Sequence, residues 1–380
     1  MPERPRPSLS LPTPGARRAI VVGAGSFGTA IAVLLARGGV RTTLQTRTPE
    51  QAERLSAERE NRAYLPGVDL PPALRVEPAG SGLARADYVL LAVPSRGLDV
   101  VIRGLAAAGL PRKAAVVSLA KGLVPPHGTP PTVLLSAELG PQRVACVGGP
   151  AHAGEMVHEG AGLVAASSEE RLALSLASFF QRAGVVCEAS NDPVGVELAG
   201  AAKNAAALAS GATVEQGLNA AGAAAGHIFM EVWRFAELLG GRPESFIGLA
   251  GTGDLVATAL ATQSRNRRAG ELLAQGVPAT EVPGRVGQAV ESFEAVPLLA
   301  QALERAGIDA PVTGGLARLI AGELPLDDWV GLVRTTVPPP ARWRTAGARA
   351  WSRRMWERLR DPRGRRASDA HSILPDAGGG

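Results

Sequence analysis

Of the 40 Lys and Arg residues in this 380-residue chain, only Lys113, Lys121 and Lys203 are lysines. Arginine keeps its proton near neutral pH, whereas a desolvated lysine can give it up. A lysine retained against such a bias is a candidate for work that arginine cannot do. Lys113 sits in the polar loop Pro111-Arg112-Lys113, which leaves Lys121 and Lys203 as candidates. Lys203 lies inside Val196-Glu197-Leu198-Ala199-Gly200-Ala201-Ala202-Lys203-Asn204. A helix of Ala and Gly packs closely and keeps water from the ammonium, lowering its pKa towards that of a general base. Asn204 adds an amide that orients the lysine or the substrate. Downstream, Gly251-Thr252-Gly253-Asp254-Leu255 places one carboxylate on a Gly-flanked turn. Ser264-Arg265-Asn266-Arg267-Arg268 gathers cations and an amide just ahead of a helix, where a phosphate is readily held. A substrate with a phosphate at one end and an alcohol at the other would use all of these groups.

Gly23-Ala24-Gly25-Ser26-Phe27-Gly28 follows an apolar run and opens a helix, the setting of a dinucleotide-binding turn. Gly23 serves the tight turn, Gly25 the approach of backbone to diphosphate, and Gly28 the packing of helix on strand. FAD and other adenine ligands use the same turn. An NAD site usually carries an acid at the end of the second strand. Here that region reads Gln45-Thr46-Arg47-Thr48, with no acid until Glu50. Arg47 suits a 2′-phosphate, so the expected cofactor is NADP or NAD, leaning to NADPH.

These groups need a framework. Apolar runs at 19–22, 42–45, 87–93, 114–120 and 144–147 read as strands, with helices at 29–37 and 49–60 between them. That alternation predicts an α/β fold, an N-terminal doubly wound Rossmann-type domain with a parallel sheet. Beyond Asn191 the strand signals end. Segments 194–208, 220–239, 267–273, 292–306 and 313–321 read as helices, and 327–330 closes an all-helical C-terminal domain. The expected organisation is a disordered Pro-rich extension at 1–16, a nucleotide-binding domain at 17–190, a helical substrate domain at 191–335 and an Arg-rich tail at 336–380.

Charge is segregated. From Val337 onward ten arginines face four acids, so the tail carries the excess behind the net charge of +5 and the body is close to neutral. The body is therefore not a nucleic-acid binder. In the tail, Trp351, Met355 and Leu359 share a helical face among arginines, a pattern suited to contact with an anionic membrane surface. Cys146 and Cys187 are 41 positions apart, without CxxC spacing, so two free thiols and no metal site are expected. Prolines interrupt the first stretch and no apolar segment follows its arginines, consistent with a cytoplasmic protein.

Over roughly 19–333 the chain resembles the bacterial NAD(P)-dependent glycerol-3-phosphate dehydrogenases. The resemblance rests on the glycine turn with Ser26-Phe27, Asn61-Arg62-Ala63-Tyr64-Leu65-Pro66, Val93-Pro94-Ser95, Lys121-Gly122-Leu123, Gly148-Gly149-Pro150, and the stretches 197–204, 248–255 and 264–268. It implies reversible hydride transfer between C2 of sn-glycerol 3-phosphate and a nicotinamide, supplying glycerophospholipid synthesis, with Lys203 as proton acceptor. It also implies substrate contacts from Lys121, Gly149, Ala151, Lys203, Asp254, Ser264, Arg265 and Asn266. Cofactor contacts are implied for Gly23, Gly25, Ser26, Phe27, Gly28, Arg47, Lys121, Ala153, Arg265, Val286 and Gln288. The sequence departs from the family at Ala151, where Ser or Thr is usual, and at Gln288-Ala289, where Glu-Gly is usual. A homodimer is expected. The alternatives are another two-domain hydroxyacid or ketoacid reductase, which has no need of the phosphate clamp, and a non-catalytic nucleotide-binding scaffold acting through the basic tail.

Overall fold

The N-terminal half is built on short runs of β-branched and small apolar residues, several of them closed by a glycine or proline that breaks the extended chain. The computed structural model describes residues 17–338 apart from 262–263 and 288–289. The expectations for 1–16, for Gln288 and for the Arg/Trp-rich tail fall outside the described residues. The described residues up to Thr336 form one unit.

Ten strands are present among the described residues: β1 Arg18–Val22, β2 Arg41–Thr46, β3 Glu60–Asn61, β4 Leu65–Asp69, β5 Arg75–Pro78, β6 Tyr88–Leu91, β7 Ala115–Ser118, β8 Val144–Gly148, β9 Gly162–Ala166 and β10 Val186–Ser190. Eight form one sheet in the order β10-β9-β8-β7-β6-β1-β2-β5, while β3 and β4 pair as a separate hairpin. Helices α1 Ser26–Arg37, α2 Pro49–Glu58, α3 Ser95–Ala107, α4 Pro131–Leu139, α5 Ala153–His158 and α6 Glu170–Arg182 connect the strands. The central strands β6, β7 and β8 are buried along almost their whole length, which is why they read as unbroken apolar runs. The doubly wound, Rossmann-type arrangement matches the expectation. One difference is that β8 and β9 run antiparallel. Strands β3, β4, β5, β9 and β10 lie outside the five expected runs. β5 and β10 lie at the two sheet edges, and both carry charged or polar residues that mask the strand signal.

From residue 193 onward the described chain is helical: α7 Pro193–Ala212, α8 Leu218–Leu238, α9 Pro243–Ile247, α10 Asp254–Leu260, α11 Arg265–Ala274, α12 Val282–Val286, α13 Glu291–Arg305, α14 Pro311–Ile320 and α15 Leu326–Thr335. Asp192 caps α7 by accepting the Gly195 N–H at 2.8 Å. Helix α7 is the axis of this region, with seventeen of its twenty residues buried. It lies unusually close to α11. A Cβ at Gly211 would stand 2.2 Å from the Arg267 carbonyl oxygen, and one at Gly270 would stand 2.1 Å from that of Leu208. Trp329 on α15 is fully buried and donates its indole N–H to the Val312 carbonyl at 3.0 Å, closing the fold where 327–330 was expected to. No single helix among the described residues is long and apolar enough to cross a membrane.

Candidate active site

The chain leaves β1 towards β2 on one side, while β6 lies on the other, so the carboxyl ends of β1 and β6 are the switch point at which open α/β sheets bind ligands. The glycine turn stands there. Gly23 has φ +112°, and a Cβ on it would sit 2.5 Å from the Ala92 carbonyl oxygen. A Cβ on Gly28 would sit 2.1 Å from the Gly23 carbonyl oxygen and 2.7 Å from the Ala92 methyl. Both positions exclude a side chain by contact with their own scaffold. Gly25 is different: a Cβ there meets nothing within 4 Å, so that face is open. Helix α1 starts at Ser26 with no side-chain cap and no acid in its first turn. Its leading N–H groups thus lack a side-chain acceptor, the condition that suits a diphosphate. These residues fit a dinucleotide. Asn61 supports the turn from β3, donating to the Ala24 carbonyl at 3.0 Å and to Thr29 Oγ1 at 2.8 Å. Arg47 is exposed just past β2, and Ala153 opens α5.

The charged groups converge on Asp254. The Gly-flanked turn expected around it is a π-helical turn, Leu249–Gly253, that runs straight into α10 with Asp254 as its first residue. Lys121, in the loop after β7, approaches Asp254 Oδ2 at 3.1 Å, and Lys203, from the middle of α7, approaches Oδ1 at 3.4 Å. Oδ1 makes no aligned hydrogen bond of its own. Lys121 Nζ also donates to the Gly149 carbonyl at 3.3 Å and lies 5.3 Å from the centre of the Phe27 ring. One lysine therefore touches the glycine turn, the loop after β8 and the helical region together. Gly149 itself has φ +106°, and a Cβ there would meet the Gly162 carbonyl at 2.3 Å.

Around this triad runs a chain of amides. Asn204 donates from Nδ2 to the Lys121 carbonyl at 3.3 Å and to Glu291 Oε2 at 3.1 Å. Its Oδ1 accepts from Asn266 Nδ2 at 2.9 Å, and Asn266 Oδ1 accepts the Ser292 backbone N–H at 3.2 Å. Of the expected phosphate clamp, Ser264 caps α11 by accepting the Arg267 N–H. Arg267 and Arg268 are turned to Glu271, while Arg265 and Asn266 form the first two positions of the helix. Ala151 is buried in the core of the sheet region, and Val286 is half-buried against the helical core. Two groups escaped sequence reasoning. Thr258 is buried with no partner for its hydroxyl, one turn after Asp254 on α10, and that four-residue spacing was the available signal. Glu291 had no signal, because nothing in the order of the chain links it to Asn204.

Burial, helped by the nearby Lys121 ammonium, pulls Lys203 down to about 8, against the opposing pull of Asp254 and Glu291. Burial pushes the Asp254 carboxyl up, but the two lysines outweigh it and leave it below its ordinary value. The site thus holds a firm anion beside an amine poised near neutrality. Glu197, nearer the start of α7, is a structural carboxyl: burial lifts it to about 7 while it accepts both the N–H and the hydroxyl of Thr132 at the start of α4. Cys146 and Cys187 are both free and buried, with their thiols pushed well up by burial.

Residues 18–173 match the family model described as the NAD-dependent glycerol-3-phosphate dehydrogenase N-terminus, and residues 192–331 match that of its C-terminus. The chain belongs to this family. It is 36% identical over 326 residues to a glycerol-3-phosphate dehydrogenase [NAD(P)+] of Methylococcus capsulatus, covering 84% of this chain and 97% of the relative. It is 40% identical over 310 residues to that of Deinococcus radiodurans, covering 80% and 90%. A glycerol-3-phosphate dehydrogenase structure from Coxiella burnetii superposes with a TM-score of 0.78 at 29% identity, covering 84% of this chain and 99% of the other. The open face at Gly25 lies in the same turn as Phe27, whose ring Lys121 approaches while it pairs with Asp254.

Proposed function

We propose that this chain is a glycerol-3-phosphate dehydrogenase that uses NAD(P), reversibly reducing dihydroxyacetone phosphate to sn-glycerol 3-phosphate for glycerophospholipid synthesis. The observation that carries the reading is the ion cluster at Asp254: a buried lysine at about 8, beside a carboxylate and a second lysine that also touches the glycine turn. Gly23, Gly25, Ser26, Phe27 and Gly28 would hold the cofactor, with Arg47, Ala153, Val286 and Gln288 around its adenosine and ribose. Bound there, the nicotinamide supplies the hydride acceptor or donor for C2. In the oxidation direction Lys203, as the neutral amine, takes the proton from the C2 hydroxyl. In reduction its ammonium returns that proton to the same oxygen. Asp254 holds the two lysines at fixed places, so their geometry is paid for by folding and not by substrate binding. Lys121 and Gly149 would line the substrate beside Lys203, and Ala151 the same loop. Arg265 and Asn266, with Ser264 shaping their helix start, would take the phosphate.

A ketoacid reductase has no phosphate for Arg265 and Asn266 to hold, and a scaffold has no use for a lysine at about 8. Within this reading, 17–190 carries the nucleotide, 191–335 supplies the acid, base and phosphate contacts, and the protein works in the cytoplasm. A homodimer and a tail that meets an anionic membrane surface belong to the same proposal, checked by sedimentation and by vesicle flotation of a chain ending at residue 336. The deciding experiment is oxidation of NADPH and NADH by the wild type with dihydroxyacetone phosphate. Turnover with NADPH preferred is expected, and Arg47→Asp should shift the preference towards NADH by about tenfold or more, the worth of one charge-assisted contact. No turnover with either cofactor sinks the proposal.

A further inference from the structure

The amide chain beside Lys203 begins and ends on groups whose polarity cannot be reversed. The Ser292 backbone N–H can only donate, so the Asn266 atom facing it at 3.2 Å is the carbonyl oxygen. Asn266 must then present its NH2 to Asn204, 2.9 Å away, and Asn204 answers with its own oxygen. That leaves the Asn204 NH2 for two obligatory acceptors, the Lys121 backbone carbonyl and the Glu291 carboxylate. Asn204, Asn266 and Ser292 are buried, while Glu291 is exposed. Glu291 and Ser292 are adjacent in the first turn of α13, so one turn of helix grips both ends of the amide pair.

We propose that Glu291 is a positioning residue: acting through Asn204, it fixes the orientation of the Asn266 amide at the start of α11 and of the Lys121 loop. The proposal rests on the reading of this cluster as the dehydrogenase site, in which Asn266 meets the substrate phosphate and Lys121 its reacting end. Glu291 touches neither. Its carboxylate is the second acceptor that keeps the Asn204 NH2 turned away from Asn266. Without it, one Asn204 hydrogen loses its partner, and the pair is held only by the Lys121 carbonyl at one end and the Ser292 N–H at the other. The acceptor, more than the charge, is what the amide needs, so glutamine at this place serves nearly as well as glutamate.

The test compares wild type, E291A and E291Q. For E291A we expect KM for dihydroxyacetone phosphate to rise about tenfold, the loss that goes with one charge-assisted hydrogen bond, with KM for NADPH unchanged. E291Q should restore most of the substrate KM. A uniform rise in both KM values, or no rescue by glutamine, overturns the proposal in favour of a general role in folding. Side-chain amide resonances of Asn204 and Asn266, assigned by their loss in N204A and N266A, supply a second reading that needs no turnover. They should exchange slowly in wild type and E291Q and quickly in E291A. Resonances and KM unchanged in E291A overturn it. Failure of the wild type to turn over dihydroxyacetone phosphate removes the proposed reaction, while the amide resonances still decide whether Glu291 orients the pair.

Discussion

The glycine turn and the Asp254 cluster meet through Lys121 and Phe27 but are built on opposite principles. The turn is a local object: six consecutive residues, a strand before them and a helix after, shaped by what cannot fit at Gly23 and Gly28. The cluster is assembled from afar, its groups coming from residues 27, 121, 149, 203 and 254 on five separate segments. Sterics protect the first and burial energises the second. A lysine near 8 exists because α7 and its neighbours exclude water from it, and only the complete fold can do that. On the proposed reading the turn holds the nucleotide, while the cluster acts on what is bound beside it.

The largest effect should come from the cluster. Lys203→Ala removes the proposed proton acceptor and should lower kcat by about 10²–10⁴-fold, the range for a positioned general acid–base group. Nucleotide affinity, read by fluorescence titration of NADPH, should hardly change, since Lys203 is on no element of the turn. A variant that kept full kcat would leave the site intact and remove Lys203 from its role.

Within the turn the contrast can be sharpened further. Gly25→Val places bulk on the open face and should weaken NADPH binding by about tenfold or more, with Tm preserved. Gly28→Val drives a side chain into the Gly23 carbonyl and should lower Tm by several degrees, overpacking costing roughly 1–3 kcal/mol. If both variants lost stability equally, the face at Gly25 would be structural and the distinction between cradle and scaffold would fall.

This division also explains how much could be read before the fold was known. The turn was legible in full, because its glycines, strand and helix are contiguous. Lys203 was legible through the Lys-to-Arg bias and the Ala-Gly run around it, and Asp254 through its flanking glycines. The partition of the arginines was not: Arg267 and Arg268 resemble Arg265 in sequence, and only the helix places them over Glu271. Edge strands β5 and β10 were missed because their exposed positions break the apolar pattern. Thr258 and Glu291 matter through partners or spaces that come from elsewhere in the chain, which no local pattern encodes.

The finest test asks whether the cluster's electrostatics work as a unit. With Lys203 at about 8, oxidation of sn-glycerol 3-phosphate needs the neutral amine, so kcat should rise with pH to about 8 and level off above it. Reduction needs the ammonium, so its kcat should be level below about 8 and fall above it. Two neighbours push the limb in opposite directions. Lys121→Met takes away a like charge and should move both limbs to higher pH. Asp254→Asn takes away the anion that favours the ammonium and should move them lower. Both variants also disturb substrate contacts, so rates alone are ambiguous, but the sign of the limb shift is not. Shifts of the same sign in the two variants would mean that water, and not the buried ion cluster, sets the proton affinity of Lys203.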